Sequence, residues 1–142
     1  AVLILNDLGP VARPAVPDLV ALLQRPGLVN PARLIETLGR IGDASVAHQL
    51  LPFLDDELRI RAAVAGAMAR FSYQDSIPLV VRSLPAAPEL QAEDAYYVYA
   101  ILQALHELGA EETSGLTRVY LEAPAMRHLH NLMEPFLADA DR

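Results

Sequence analysis

The chain has 142 residues, enough for a single domain that buries roughly 70% of the surface its unfolded chain would expose. Apolar residues make up 53% of the sequence and aromatic residues only 6%, without tryptophan, which favours an all-α protein packed through alanine and leucine. A net charge of −7, with eleven arginines and no lysine, disfavours general binding to nucleic acid or anionic membranes. The absence of cysteine excludes disulfides, thiolate metal sites and cysteine nucleophiles.

Residues 1–5 are all apolar and indicate part of a helix. No basic stretch precedes them, and Asn6 and Asp7 follow directly, so the segment is too short for a signal peptide or a membrane span. Because the sequence starts without methionine and without an N-cap residue, we expect it to be a fragment of a longer array or a processed chain.

Apolar residues recur along the chain with a period of about thirty residues. The recurring pattern is a Leu-Gly pair followed by apolar residues at helical spacing, and the third copy keeps only the second part. The copies are Leu8-Gly9 with Val16, Val20 and Leu23; Leu38-Gly39 with Val46, Leu50 and Phe53; Ile77, Val81 and Leu84; and Leu108-Gly109 with Leu116 and Tyr120. Successive copies lie 30, 31 and 39 residues apart, and a Pro-rich insertion lengthens the last interval.

Each copy is interpreted as two antiparallel helices, helix A and helix B, joined by a tight turn. Gly9, Gly39 and Gly109 are the predicted ends of helix A, and Asn30 is a predicted N-cap before Pro31. Stacked pairs bury the apolar stripes that no pair can bury alone. The sequence therefore predicts one all-α domain, an α-solenoid of about four helix pairs. The predicted units are 1–28, 29–55, 56–86 and 89–123, with a capping or partial-repeat helix at 125–137.

Three groups of residues carry a resemblance to a known family. They are Leu8-Gly9-Pro10 with Ala15-Val16-Pro17, Leu38-Gly39-Arg40-Ile41-Gly42-Asp43 with Leu54-Asp55-Asp56, and Ile60-Arg61 with Ala67-Met68. These groups resemble the short HEAT-like repeats of the phycobilisome-lyase type. The resemblance covers residues 1–84 closely, although Phe71-Ser72 replaces Leu-Gly in the third unit. It implies an α-solenoid in which helix B forms the inner, concave wall.

Aligned copies of helix B would place equivalent side chains in rows along that wall. One predicted row is Asp18, His48, Leu79 and Arg118, and the second is Ala21, Leu51, Arg82 and Leu121. Exposed leucines beside cationic side chains would suit a protein or peptide surface that has apolar anchors and some acidic groups. In the alternative interpretation, the leucines pack against neighbouring repeats and the rows are ordinary helix surface.

A second candidate contact is the Pro-rich insertion at 85–94 with the tyrosines that follow it. Exposed Tyr96 or Tyr99, beside the acidic residues of the insertion, would hold a basic partner. In the alternative interpretation, one side of a long helix is a buried stripe and the remaining tyrosines are half-exposed. The stripe would consist of Tyr97, Ile101, Leu105 and Leu108.

His106-Glu107 is the only fragment that suggests catalytic chemistry, because HEAT-like deoxyhypusine hydroxylases bind two irons through several His-Glu pairs. A single pair does not supply the converging ligands of a di-iron site. His128 and His130 lie two residues apart, so on a helix they point to nearly opposite sides. The sequence has no P-loop, nucleophile elbow, dinucleotide fingerprint or HExxH motif. We therefore predict no catalytic residues, metal or cofactor.

The favoured function is a non-enzymatic scaffold or binding module that holds a protein or peptide in the cytoplasm through the concave helix-B face. One alternative is a subunit or domain of a chromophore lyase, which only the family resemblance implies. Another is a helical-repeat DNA glycosylase, which needs a basic groove with aromatic base contacts and is opposed by the net charge. No nucleic-acid or membrane partner is expected.

Overall fold

The structure, a computed structural model, describes residues 8–25, 27 and 31–137. All regular secondary structure in these residues is helical, which confirms the predicted all-α class. The α-helices are α1 (Val16–Leu23), α2 (Pro31–Ile41), α3 (Ala47–Leu50), α4 (Leu58–Arg70), α5 (Ile77–Arg82), α6 (Ala95–Leu108), α7 (Thr113–Leu121) and α8 (His130–Met133). The predicted helix at 1–5, the N-cap at Asn30 and the acidic end at 138–142 lie outside the described residues.

Short 3-10 segments connect and extend these helices. They are Gly9–Ala15, Ala44–Val46, Leu51–Asp55, Gln74–Ser76, Ala87–Glu89, Ala92–Asp94, Pro124–Leu129 and Glu134–Phe136. Proline accounts for several of the breaks, because it lacks the amide donor that an α-helix needs beyond its first turn. Pro52 lies just after α3 and Pro135 just after α8. The predicted helix at 125–137 is accordingly divided into two 3-10 segments with α8 between them.

The three longest helices, α2, α4 and α6, form one layer with α4 in the middle. The most extensive contacts of the fold join α4 to α2 and to α6. Gly39 of α2 faces Ala67 of α4 so closely that a Cβ built on the glycine would lie 3.0 Å from the Ala67 Cα. Just after α4, the Gln74 side chain donates to the carbonyl of Leu108, the last residue of α6, at 3.3 Å. The C-terminal ends of all three helices therefore lie at one edge of the layer.

Left-handed residues follow these three helices. Gly42 has a φ of 82° and Gly109 a φ of 78°, while Ser72 adopts the same conformation with a φ of 55°. Glycine reaches this region without the clash that a Cβ causes. The predicted stop at Gly109 is confirmed. Gly39 does not end α2, contrary to the prediction, because the helix continues to Ile41 and Gly39 is buried against α4.

In the structure, the third copy of the sequence pattern is shifted by one residue from its predicted alignment with the second copy. Leu50 is fully buried, and the fully buried residue in the corresponding position is Val80, whereas the predicted counterpart Val81 is half-buried. The 3-10 segments Ala44–Val46 and Gln74–Ser76 are likewise thirty residues apart. The interval between these copies is therefore 30 residues rather than the predicted 31, and the predicted rows lose their alignment at α5.

Two clusters of buried side chains form the core. The larger cluster runs from α1 to α6, with fully buried members Ile35, Leu38, Ile41, Leu50, Val64, Met68, Val80, Ile101 and Leu105. The smaller cluster holds the C-terminal part, with Val98, Leu102, Tyr120, Met126, Met133 and Phe136. Helix α6 contributes to both clusters and so joins the two parts. None of the helices in the described residues is long and apolar enough to cross a membrane.

Candidate functional site

The candidate site is a cavity of about 520 Å³ on the layer of α2, α4 and α6, here called the groove. Side chains from all three helices line it. Its floor consists of small residues, Ala62, Ala63, Gly66 and Ala67 from α4 with Ala100 and Ala104 from α6. Gln103 of α6 lines the middle of the groove, and the charged and aromatic lining residues lie toward its two ends.

The floor follows from the composition of α4. Five of its thirteen residues are alanine, the strongest helix former, so the segment is helical with little side-chain bulk. Small side chains let α4 approach its neighbours closely, as the contact between Gly39 and Ala67 shows. On the groove side, a Cβ built on Gly66 would meet no atom within 4 Å. The same composition therefore produces both the tight layer and the open space above it.

Aromatic and cationic side chains line the end of the groove where α4 and α6 begin. Tyr96 is 65% exposed, and its ring meets that of half-buried Tyr97 edge-on at a centroid distance of 5.9 Å. Arg59 also lines this end and forms an exposed salt bridge with Glu57 at 2.9 Å. This end offers an exposed aromatic surface and a cation that already has an acidic partner.

Charged side chains line the opposite end, where α2 and α4 finish. Arg40 and Arg70 are exposed there, and Glu36 and Glu107 lie on the same end of the groove. Within residues 8–25, 27 and 31–137, neither arginine side chain forms an ion pair or a hydrogen bond. Glu36 is placed one turn before Arg40 on α2, the spacing of a helical ion pair, yet the two side chains do not pair.

The predicted helix-B positions lie outside the groove. Asp18 on α1, His48 on α3, Leu79 and Arg82 on α5 and Arg118 on α7 are exposed but do not line the cavity. The cavity thus lies on α2, α4 and α6, whereas the concave wall was predicted on the second helix of each predicted pair. The short helices α3 and α5 provide no comparable floor of small residues.

Contacts within the fold engage several of these predicted positions. Leu51 and Leu121 are half-buried and pack against the larger and smaller core clusters, respectively. The His48 ring meets Tyr73 edge-on, with a centroid distance of 5.8 Å and an Nε2 to Oη distance of 3.5 Å. Arg82 donates from Nε to the Pro78 carbonyl at 3.3 Å. For the leucines at 51 and 121, the structure therefore agrees with the packing interpretation.

The tyrosine cluster divides between the groove and the core. Tyr96 is the only member of the predicted contact set that lines the groove. Tyr99 is half-buried and stacks on Phe136 at a centroid distance of 5.6 Å and an angle of 24°, so it joins α6 to the C-terminal segment. The predicted buried stripe of α6 is confirmed, with Tyr97 half-buried at its outer limit. Its buried members are Ile101, Leu105 and Leu108.

The Pro-rich insertion at 85–94 is packed onto the protein. Tyr120 of α7 donates its hydroxyl proton to the Pro85 carbonyl, and burial raises the pKa of this tyrosine above its ordinary value of 10.0. Leu90 packs against the smaller core cluster. The backbone N–H of Gln91 donates to the Asp94 carboxylate at 3.3 Å, and this hydrogen bond fixes the end of the insertion just before α6. The insertion therefore braces α6 against α7.

A further charged group lies in the turn after α2. Asp43 accepts hydrogen bonds from the Ser45 hydroxyl at 2.7 Å and from the Ser45 amide at 3.1 Å. These bonds lower the pKa of the Asp43 carboxyl, and the positive charge of Arg13 acts in the same direction. The carboxylate thus caps the 3-10 segment Ala44–Val46.

The His-Glu pair considered in the sequence diverges in the structure. The His106 ring packs on Phe136 at a centroid distance of 5.3 Å, while Glu107 lines the groove. Across the described ranges, no three histidine, aspartate or glutamate side chains come together as metal ligands would.

Comparisons of the chain with protein-family models, curated proteins and solved structures find no match. The interpretation of the groove therefore depends on its own residues.

Proposed function

We propose that the chain is a non-enzymatic binding module, a short HEAT-like solenoid that holds an extended segment of another protein in the groove. The observation that carries this proposal is the open floor of alanines and Gly66, which runs across two neighbouring helices. It lies between an exposed tyrosine and two arginines that have no ion-pair partner among the described residues. Sites for other molecules are concave, with a few polar groups that fix the orientation of what they bind.

The arrangement of the helices supports the solenoid part of the proposal. Gly42 and Ser72, the left-handed residues after α2 and α4, are thirty residues apart. Helix α4 lies between α2 and α6, and the C-terminal ends of the three helices share one edge. In a solenoid each unit contacts mainly its sequence neighbours, and the groove then crosses successive units.

The size of the groove supports an extended peptide as the occupant. Arg59 and Arg70 are eleven residues apart on α4 and therefore about 16 Å apart along its axis. An extended chain covers that distance in about five residues, at roughly 3.3 Å per residue. Small floor residues leave room for a peptide backbone, and Tyr96 offers contact area at low entropic cost.

Substitution of Gly66 tests the proposed function. A displayed library of random peptides is selected on the wild-type chain, and the enriched peptides are then measured on two variants. Gly66→Leu places a large side chain on the groove floor, and Gly115→Leu places the same side chain on α7. At both sites, an added Cβ meets no atom within 4 Å, so both variants are expected to fold.

We expect Gly66→Leu to weaken the binding of the enriched peptides by about tenfold or more, because the leucine occupies the space that the peptide needs. Gly115→Leu is expected to bind them as the wild type does. Equal binding by both variants, or failure of the wild type to enrich any peptide, would contradict the proposed function.

A further inference from the structure

We propose that the segment held in the groove is acidic and that Arg40 and Arg70 together bind a carboxylate of that segment. This inference rests on the proposed function and adds the chemistry of the partner. It differs from the sequence-based predictions, in which helix B binds acidic groups and the tyrosine cluster binds a basic partner.

The two arginines are neighbours on adjacent helices. A Cβ built on Gly39 would lie 3.4 Å from the Arg70 Cδ, so the Arg70 side chain passes over α2 one residue before Arg40. Both side chains are exposed and line the same end of the groove. Two guanidinium groups at this position repel each other, and a carboxylate that contacts both would remove the repulsion.

Within the described part of the chain, the side chains of Arg40 and Arg70 form no ion pair and no hydrogen bond. Each arginine lies in the last turn of its helix, where the helix dipole favours a cation. The dipole accounts for the sign of the charge and leaves the five N–H donors of each guanidinium free. These donors match a carboxylate in a bidentate arrangement.

The groove is less acidic than the molecule as a whole. The chain carries a net charge of −7, but the groove is lined by three arginines and two glutamates. Arg59 is paired with Glu57, so the unpaired positive charge is concentrated on Arg40 and Arg70. The bound peptide is therefore expected to place an acidic residue at this end of the groove. About five positions along the peptide, an apolar or aromatic residue is expected to contact Tyr96.

A nucleic acid fits these observations less well than an acidic peptide does. Glu36 and Glu107 lie beside the two arginines, and they would repel the continuous row of phosphates in a nucleic-acid backbone. A peptide with one or two carboxylates among neutral residues avoids that repulsion. The cavity of about 520 Å³ also suits a few peptide residues rather than a duplex.

The library selection is repeated with two double variants to test this inference. Arg40→Gln with Arg70→Gln removes both proposed carboxylate ligands. Arg25→Gln with Arg127→Gln changes the net charge by the same amount at exposed positions outside the groove. Circular dichroism and thermal melting establish that both variants are folded before the selection.

We expect the wild type and the control variant to enrich peptides rich in aspartate and glutamate. The groove variant is expected to lose this enrichment. A second measurement needs no protein variant: replacing the glutamates of an enriched peptide with glutamine is expected to weaken its binding to the wild type by about tenfold or more.

Two results would overturn the inference. The first is enrichment of neutral or basic peptides that bind Gly66→Leu more weakly than the wild type. This result would refute the acidic partner and leave the proposed function intact. Binding of duplex DNA that the Arg40→Gln, Arg70→Gln variant loses would assign the arginines to nucleic acid instead. By contrast, peptides that bind Gly66→Leu as well as the wild type would contradict the proposed function itself.

Discussion

At the scale of single residues, two glycines inside helices have different surroundings. A Cβ on Gly39 would lie 3.0 Å from the Cα and 3.1 Å from the Cβ of Ala67, whereas a Cβ on Gly66 would meet nothing within 4 Å. Both residues are helical, and glycine lowers helix stability relative to alanine by about 0.5–1 kcal/mol. The same substitution should therefore have opposite effects at the two positions.

We expect Gly39→Ala to lower the free energy of unfolding by about 1–2 kcal/mol. The added Cβ forces α2 and α4 apart, and the cost of this separation exceeds the gain in helix propensity. Gly66→Ala is expected to raise it by up to about 1 kcal/mol. Urea unfolding followed by circular dichroism measures both changes. A stabilised Gly39→Ala variant would show that the approach of α2 to α4 is looser than the structure indicates.

At the scale of elements, the hydrogen bond from Tyr120 to Pro85 ties the insertion to α7. Tyr120→Phe removes the donor and leaves a part-buried carbonyl without it, which should lower the free energy of unfolding at neutral pH by about 1–2 kcal/mol. The insertion also packs on α6 through the smaller core cluster. Loosening it should therefore affect α6 and α7 together.

The pH dependence of stability provides a separate check on this contact. Burial raises the pKa of Tyr120 above 10.0 in the folded protein, so above that pH the unfolded chain binds fewer protons than the folded chain. The contribution of the neutral phenol is complete below about pH 10 and is lost as the pH rises through the folded pKa. We expect the wild type to lose stability faster than Tyr120→Phe as the pH rises above about 10. Parallel curves for the two proteins would indicate that Tyr120 is accessible to solvent.

At the scale of the whole molecule, α4 holds the layer together. It packs against α2 on one side and α6 on the other, and seven of its residues are buried. The 3-10 segment Gly9–Ala15 and the insertion at 85–94 have few buried residues by comparison. Local openings of a protein are least frequent where burial and helix packing are greatest.

Amide hydrogen exchange measures this distribution directly. The slowest exchange is expected in α4 and in the middle of α6, with opening free energies close to that of global unfolding. The fastest exchange is expected in Gly9–Ala15 and in residues 85–94. Uniform protection along the chain would contradict the central position of α4.

The sequence predicted local features correctly where helix periodicity and backbone conformation decide them. The buried stripe of α6 and the stop at Gly109 follow from the spacing of apolar residues and from the freedom of glycine at positive φ. Gly39 was assigned incorrectly, because a glycine near the end of a helix can serve either as a stop or as a point of close approach. The contact with Ala67 decides between these roles, and it lies 28 residues away in sequence.

By itself, the sequence determined the all-α class, because helix propensity and apolar periodicity act within a few residues. Only the tertiary structure decided which layer bears the groove and which charges lie in it. The floor exists because α4 lies between α2 and α6, and Arg40 and Arg70 line the same end of the groove because those helices end at one edge. Both relations depend on the register between helices, which a one-residue difference alters and which the residues of one helix do not specify.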